Sequence, residues 1–365
     1  MGMQEFAWRH FHFSKEYAKR MAGMGHEVTL YVLQKGPSEP TTFRLDGYDL
    51  TALGTTIRLP PFMKFGNNHS SQIFAELRRF SPDLVHVHNY YLWNFPYTAP
   101  WAKAHGARVV AQYHGTDPIR TIKGAAYLPS LRICDGLLVP TEKEEQFLTR
   151  VLHLPSPRVA RFPSTGVDGT AFRKTVPRDS SVALLYVGRI PVPTSYKWEK
   201  APHYLVPIVS ALKRRGVHVT LSVAGDGPGL ESMRAFAERA GVSEEITFLG
   251  PLSQGMLPDI YSRSWITFVP LWMDEIEPFW GGTVQESLAC GTPVVAFNDR
   301  NPGPRRFGLL VPSDPELAAD YILPLLKEQQ TIEQMGKEGA TFTSKNCSWD
   351  NLISGLDRIY QRVSK

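Results

Sequence analysis

Short apolar runs alternate with amphipathic stretches along most of the chain. HEVTLYVL, DLVHVHNY, ARVVAQYH and GLLVPT read as buried strands in the first half. VALLYVGR, VHVTLSVAG, EITFLG, ITFVPL and TPVVAF read the same way in the second. Between them, APHYLVPIVSALKRRG and GLESMRAFAERAG carry helical periodicity. Alternation of this kind predicts an α/β protein, with parallel sheets covered by helices on both faces. Residues 172–182, FRKTVPRDSSV, are polar, contain Pro177 and interrupt the pattern. They predict a linker between a first domain over 1–171 and a second over 183–347, with 348–365 as a terminal helix packing back toward the first.

The two halves echo each other. GHEVTLYV at 25–32 and GVHVTLSV at 216–223 each follow an amphipathic helix. In the second half a strand, VALLYVGR, precedes that helix; in the first half MGMQEFAWRH already reads as the helix. The first strand of the first domain is therefore expected to be absent from this chain. In a doubly wound sheet that strand is central, so its absence leaves backbone groups on both neighbours unpaired. A truncated or miscalled start is the expected cause; the alternatives are that another segment fills the gap or that the domain simply starts differently.

A length of 365 residues fits two domains. No apolar run reaches the roughly 20 residues that a membrane span needs. Cys134, Cys290 and Cys347 are too few and too scattered for a disulfide framework or a cysteine zinc site, so a reducing cytoplasmic setting is expected. The net charge of +5 and pI near 9.0 favour anionic partners. The basic residues are dispersed, however, and no nucleic-acid-binding motif is present, so phosphates of small molecules are the better fit.

Several stretches could carry chemistry. VGRIPVPTSYKWEK puts Arg189 at a strand end and Lys200 just before a helix, where open α/β sheets bind ligands. Two cations there suit a diphosphate; solvated loop cations are the other reading, and Lys197 competes with Lys200. VAGDGPG has the look of a structural turn at Gly225 and Gly227, without the spacing of a dinucleotide fingerprint. YHGTDP places His114 at a strand's carboxyl end, with Thr116 or Asp117 able to cap the segment after it. His86 and His88 share one strand face, but no acid cluster accompanies them and no metal is expected. EIEPFWGGTVQESLACGTPVVAF sets Glu277 before a tight turn. Thr283 and Glu286 then form a capping box for a helix that Gly291 closes. Read locally, Glu286 is a cap and Glu277 a solvated loop acid. Phe6, Trp8, Phe11, Phe13 and Tyr17, with Arg9, Lys15, Lys19 and Arg20, make an aromatic and basic helix. It reads as core packing with solvated charge, or as a contact with an anionic bilayer.

Taken in order, GHEVTL, DLVHVHN, STGVDGTAF, VGR, the helix start at Lys200, VAGDGP, ITFLG, QESLACGTPVVA, GLLVPSDP and SWDNLISGLDRIY resemble a group 1 (family 4) retaining glycosyltransferase. The resemblance covers the chain from about residue 3 to the end. It implies the GT-B architecture, two Rossmann-like domains facing across a cleft. It implies a nucleotide diphosphate sugar as donor and no cofactor, with an acceptor handled by the first domain: a lipid-linked sugar, a glycan or a small molecule. It further implies that Arg189 and Lys200 grip the diphosphate beside Gly188, and that Glu286 bonds the ribose. Glu277 would orient the hexose, and Phe248, Leu249 and Gly250 would flank the base. Backbone around Gly281, Gly282, Thr283 and Val284 would present a helix N-terminus to the phosphates. His114 would approach the sugar from the other domain. Two features depart from the family. Eight residues separate Glu277 from Glu286, one more than the usual seven, with Trp280 as the extra one; strict counting would put Pro278 at the first acid position. The loop FNDRNPGPRRFG is also shorter than the family's. The implied reaction is front-face hexosyl transfer with retained configuration. Competing readings are an epimerase or phosphorylase on the same fold, or an inactive nucleotide-sugar-binding scaffold.

Overall fold

In the computed structural model, residues 12–34, 36, 38–58, 68–90, 94–114, 122–193, 200–279 and 281–365 are described. Two compact units emerge. One runs to Ser164 and takes in Asp350–Lys365; the other is Thr165–Trp349. Residues 172–182 belong to the second unit. Phe172 lies in an apolar cluster with Val167, Leu185 and Tyr261, and the Arg178 guanidinium donates to the carbonyls of Ser264, Trp265 and Gly291.

In the first unit the strands fall into separate sheets. β1 (Thr29–Gln34), β2 (Thr41–Leu45) and β3 (Tyr48–Gly54) form one in the order β1-β3-β2. β4 (Ile57–Arg58) and β5 (Asn68–His69) make a two-residue antiparallel ladder. β6 (Leu84–His88), β7 (Arg108–Gln112), β8 (Gly136–Val139) and β9 (Val159–Arg161) form a parallel sheet in that order. β2 and β3 pair antiparallel around Asp46-Gly47, both at positive φ, as a two-residue hairpin requires. Among the described residues no strand joins β1 to β6, although one helix, Phe13–Gly23, packs on both sheets. Its Ala18 lies with Leu45, Tyr48 and Leu50, while Tyr17 sets its ring edge-on to His86 and His88. β1 and β6, each terminal in its sheet, are only half-buried, whereas β3 and β7 are largely buried.

That helix turns its described rings inward. Two of its cations are paired: Lys19 with Asp46 at 3.1 Å, and Arg20 with Glu16 and Asp350. Phe6, Trp8, Arg9 and Phe11 lie outside the described residues. The terminal helix Trp349–Ser364 serves the first unit: the Tyr360 hydroxyl and His86 Nδ1 are 2.6 Å apart, and His26 meets Asp357 at 3.0 Å.

The second unit holds one seven-stranded sheet: β10 (Val182–Val187), β11 (Val219–Ala224), β12 (Ile246–Gly250), β13 (Ile266–Trp272), β14 (Val294–Phe297), β15 (Gly303–Arg305) and β16 (Gly308–Val311). Their order is β12-β11-β10-β13-β14-β16-β15, parallel except for the β15 edge. Val and Leu runs covered by helices on both faces give a dry core around Leu184, Leu221, Val223, Phe268 and Val295. The strand order reverses between β10 and β13. Crevices for ligands open beyond the carboxyl ends at such a switch point. All three cysteines are free and buried.

Candidate active site

At the end of β10 the chain turns through Gly188 and Arg189. Tyr186, fully buried, donates its hydroxyl to the Arg189 carbonyl. The turn is zipped to the one after β11: Gly188 N–H donates to Ala224 at 2.9 Å, Ile190 N–H to Asp226 at 2.9 Å, and Gly229 N–H to Ile190 at 3.0 Å. This approach accounts for the glycines of VAGDGPG. A Cβ on Gly225 would lie 1.9 Å from the Gly188 oxygen, and one on Gly227 would lie 2.2 Å from that of Ile190. Both have positive φ, +145° and +153°, which side chains resist. The motif shapes the Arg189 turn.

Lys200 reaches the same place from the other side of the switch point, where Ala201 N–H donates to Pro270 on β13 at 2.9 Å. Lys200 Nζ donates to the Val187 carbonyl at 3.3 Å and to Thr283 Oγ1 at 3.2 Å. A Cβ on Gly188 would sit 2.6 Å from Nζ, so glycine makes room for the ammonium. Although the residue as a whole is half-buried, its ammonium is enclosed. Burial pushes its pKa down to about 8, with Glu286 opposing and Arg189 adding to the fall. Arg189 is exposed.

The helix Gly282–Ala289 starts beside them. Its N-cap is Gly281 in extended conformation, with no side-chain cap. This corrects the expected capping box. Thr283 lies inside the helix, and its hydroxyl accepts from Lys200. The Glu286 carboxylate turns to Tyr261, whose hydroxyl donates to Oε2 at 3.0 Å. Burial raises the Glu286 pKa, against the pull of Tyr261 and Lys200. The helix ends as expected, with Gly291 at φ +76°. Buried Val284 and Leu288 fix it to Val269 and Val294, and its N-terminus follows the carboxyl end of β13 in the chain.

Phe248, Leu249 and Gly250 lie on β12, two places from β10. Arg234 sits over the Phe248 ring at 4.4 Å, and Leu249 is exposed. Glu277 is half-buried between buried Ile276 and Pro278, in the stretch joining β13 to the helix. Pro278 directs its carbonyl to Cys347 Sγ at 4.0 Å. Lys197, Thr116, Asp117 and Trp280 lie outside the described residues.

His114 belongs to the first unit and is nearly buried. Its Nε2 lies 2.9 Å from His88 Nδ1, its N–H donates to Asn89 Oδ1, and Phe13 faces its ring at 4.5 Å. Burial, with His88 beside it, holds its pKa well below the ordinary value, so the imidazole is neutral. His86 and His88 share a face as their spacing predicts, stacked at 4.3 Å. Among the described residues no group of three or more His, Cys, Asp or Glu is arranged to hold a metal.

The structure thus gathers Gly188, Arg189, Lys200, Thr283 and Glu286 around one switch point. It also reveals two contacts that sequence reasoning missed: Thr283 with Lys200, and Tyr261 with Glu286. Nothing local announces either, since the partners lie 83 and 25 residues apart.

Comparison with known proteins identifies the family and the fold. The profile described as glycosyl transferases group 1 matches residues 169–342, and that of Glycosyltransferase Family 4 matches residues 13–168. A GDP-mannose-dependent α-(1-6)-phosphatidylinositol monomannoside mannosyltransferase of Mycobacterium tuberculosis is 25% identical over 93% of this chain and 91% of its own length. An exopolysaccharide phosphotransferase of Streptomyces coelicolor is 28% identical over 68% of this chain, which spans only 26% of that relative. Among solved structures, sucrose-phosphate synthase from Thermosynechococcus elongatus superposes with a TM-score of 0.71 at 18% identity, covering 96% of this chain and 92% of that one. Anabaena HepE in complex with UDP gives 0.65 at 14% identity, covering 86% of each chain. The fold is GT-B. The chain belongs to the group 1 glycosyltransferases, enzymes that transfer a sugar from a nucleotide-sugar donor.

Proposed function

We propose that the protein moves a hexosyl group from a nucleoside diphosphate sugar to an acceptor hydroxyl with retention of anomeric configuration. In this reading the donor diphosphate lies at the switch point of the second unit. Lys200, Arg189, the Gly188 turn and the N–H groups at Gly282, Thr283 and Val284 hold it, with Gly281 leaving the approach open. Glu286 bonds the ribose, Glu277 orients the hexose, and Phe248 to Gly250 flank the base.

The observation that carries this reading is the state of Lys200. An enclosed ammonium has a depressed pKa, a buried carboxylate whose own pKa is raised as its opposing charge, and a helix N-terminus alongside. A diphosphate supplies the missing negative charge and gains both the ammonium and the helix end. The acceptor oxygen bonds to the anomeric carbon as the bond to the diphosphate breaks. The acceptor's proton passes to the departing phosphate oxygen on the same face. Cations and helix amides stabilise the charge that develops on the leaving group. No additional cofactor is invoked, and no pair of carboxylates flanking the bond is required, unlike in a hydrolase.

The acceptor class is guided by the relatives. The mycobacterial mannosyltransferase is named for a phosphatidylinositol mannoside, so lipid-linked sugars and glycans are the first acceptors to try. Among the described residues no helix is long and apolar enough to cross a membrane.

Arg189→Ala and Lys200→Ala test the assignment. Each removes a charge-assisted contact worth ~1.5–3 kcal/mol, roughly ten- to hundredfold in turnover if felt in the transition state. Unchanged turnover in both variants would sink it.

A further inference from the structure

We propose that Tyr261 is the positioning residue for nucleoside recognition: its hydroxyl holds Oε2 of Glu286, leaving Oε1 to accept from the ribose. This rests on the reading of Glu286 given above, and it adds a residue that touches no substrate.

Tyr261 sits on the helix Leu257–Arg263 and is fully buried among Val167, Phe172, Leu185, Cys290 and Cys347. Its main chain is pinned, the carbonyl accepting from Thr292 Oγ1 at 2.6 Å and from Ser264 N–H at 3.1 Å. A phenol placed so rigidly has one useful direction for its proton, and that direction leads to Glu286 Oε2 at 3.0 Å. The other carboxylate oxygen faces the start of the helix Gly282–Ala289, where a Cβ on Gly282 would come within 3.5 Å of it.

The division of labour has a chemical purpose. A carboxylate accepts best from two neighbouring hydroxyls when it is ionised, and so acceptor-only, and correctly turned. Burial around Glu286 favours the protonated form, and Tyr261 and Lys200 oppose it. Of these two, Lys200 serves the phosphates as well. Tyr261 alone is dedicated to the carboxylate, giving a charge-assisted bond and a fixed rotamer. A ring that merely filled the core would not need its hydroxyl there.

Tyr261→Phe keeps the ring and removes only the hydroxyl. UDP, GDP and ADP, and separately inorganic pyrophosphate, are titrated calorimetrically into the intact chain. Pyrophosphate uses the cations and helix amides but has no ribose. Tyr261→Phe is expected to weaken the tightest nucleoside diphosphate by roughly tenfold, the loss of one charge-assisted contact, with pyrophosphate unchanged. The deficit should widen from pH 7 to pH 5.5, because Glu286 protonates more readily without the phenol. Equal weakening of both ligands, or of neither, overturns the inference. Glu286→Gln separates the two levels. If Glu286→Gln weakens nucleoside diphosphates and Tyr261→Phe does not, Tyr261 alone is misassigned. If Glu286→Gln also leaves them unchanged, or the unaltered protein binds none, the reading of Glu286 falls and takes the inference with it.

Discussion

Replacing Lys200 by methionine should make the ligand-free protein more stable while abolishing diphosphate binding. Burial moves the ammonium pKa from 10.5 to about 8. At ~1.4 kcal/mol per unit, keeping the charge in place costs the folded state roughly 3 kcal/mol. Methionine has a similar length and adapts to irregular space. The substitution also removes two long hydrogen bonds, to Val187 and Thr283, together about 1–2 kcal/mol; the attraction to Glu286 is already contained in the shifted pKa. The net expectation at pH 7 is a gain of about 1–2 kcal/mol, or roughly 2–8 °C in Tm for a unit of this size. The sign with pH is set by linkage. The lysine's folded-state pKa is depressed, so the penalty is whole below pH 8. It fades between pH 8 and 10.5, where the folded protein has shed a proton that the unfolded chain keeps. The advantage of Lys200→Met should therefore shrink at pH 10. Urea unfolding at pH 7 and pH 10, monitored for the transition of the second unit, measures both. A Lys200→Met variant less stable than the parent at pH 7, or equally advantaged at both pH values, would refute the electrostatic account of the site.

Three further outcomes are expected from the same geometry. Nucleoside diphosphate affinity should decline above pH 8 as Lys200 loses its proton, with proton uptake on binding visible as a buffer-dependent calorimetric heat; a flat profile from pH 7 to 9.5 would contradict it. Gly227→Ala forces a Cβ at φ +153° toward the Ile190 carbonyl and should cost about 1–3 kcal/mol, with weaker pyrophosphate binding as the Arg189 turn shifts; unaltered unfolding and binding would remove that role. The first unit should lose stability as pH falls below 6.5, since His86, His88 and His114 are held neutral when folded but titrate normally when unfolded. Three such groups give a slope of up to about 4 kcal/mol per pH unit, and a circular dichroism titration flat from pH 7 to 5 would oppose it.

Much of the second unit is legible in the sequence because β10, β13 and β14 are largely buried apolar runs and β11 alternates buried Val219, Leu221 and Val223 with Thr220 and Ser222, and such patterns stand out against amphipathic helices. The first unit is harder to read. The β2–β3 hairpin escapes the hydrophobic pattern, although its Asp46-Gly47 turn is a strong local signal, because TTFRL and YDLTALG mix polar and apolar positions. The echo between GHEVTLYV and GVHVTLSV does mark equivalent strands, β1 and β11. In the second unit β11 pairs with β10; in the first, among the described residues, β1 pairs only with β3, and no described strand stands in the place of β10. At the candidate site, Arg189 and Lys200 stand out because one follows the end of β10 and the other precedes the next helical segment. The capping box misleads because local spacing cannot show that a lysine 83 residues away takes the Thr283 hydroxyl. Tyr261 gives no signal at all: its role exists only once the helix Leu257–Arg263 is packed beside Glu286.

The most direct test is a crystal structure with whichever nucleoside diphosphate gives the largest thermal shift among UDP, GDP and ADP. A ligand at about a hundred times its Kd should add ~2.7 kcal/mol of stability, enough to identify it. The account predicts phosphate oxygens bonded to Lys200 Nζ, Arg189 and the amides of Gly282 to Val284, with the ribose on Glu286. Phosphates bound anywhere else on the second unit, with Lys200 still directed to Val187 and Thr283 alone, would contradict it.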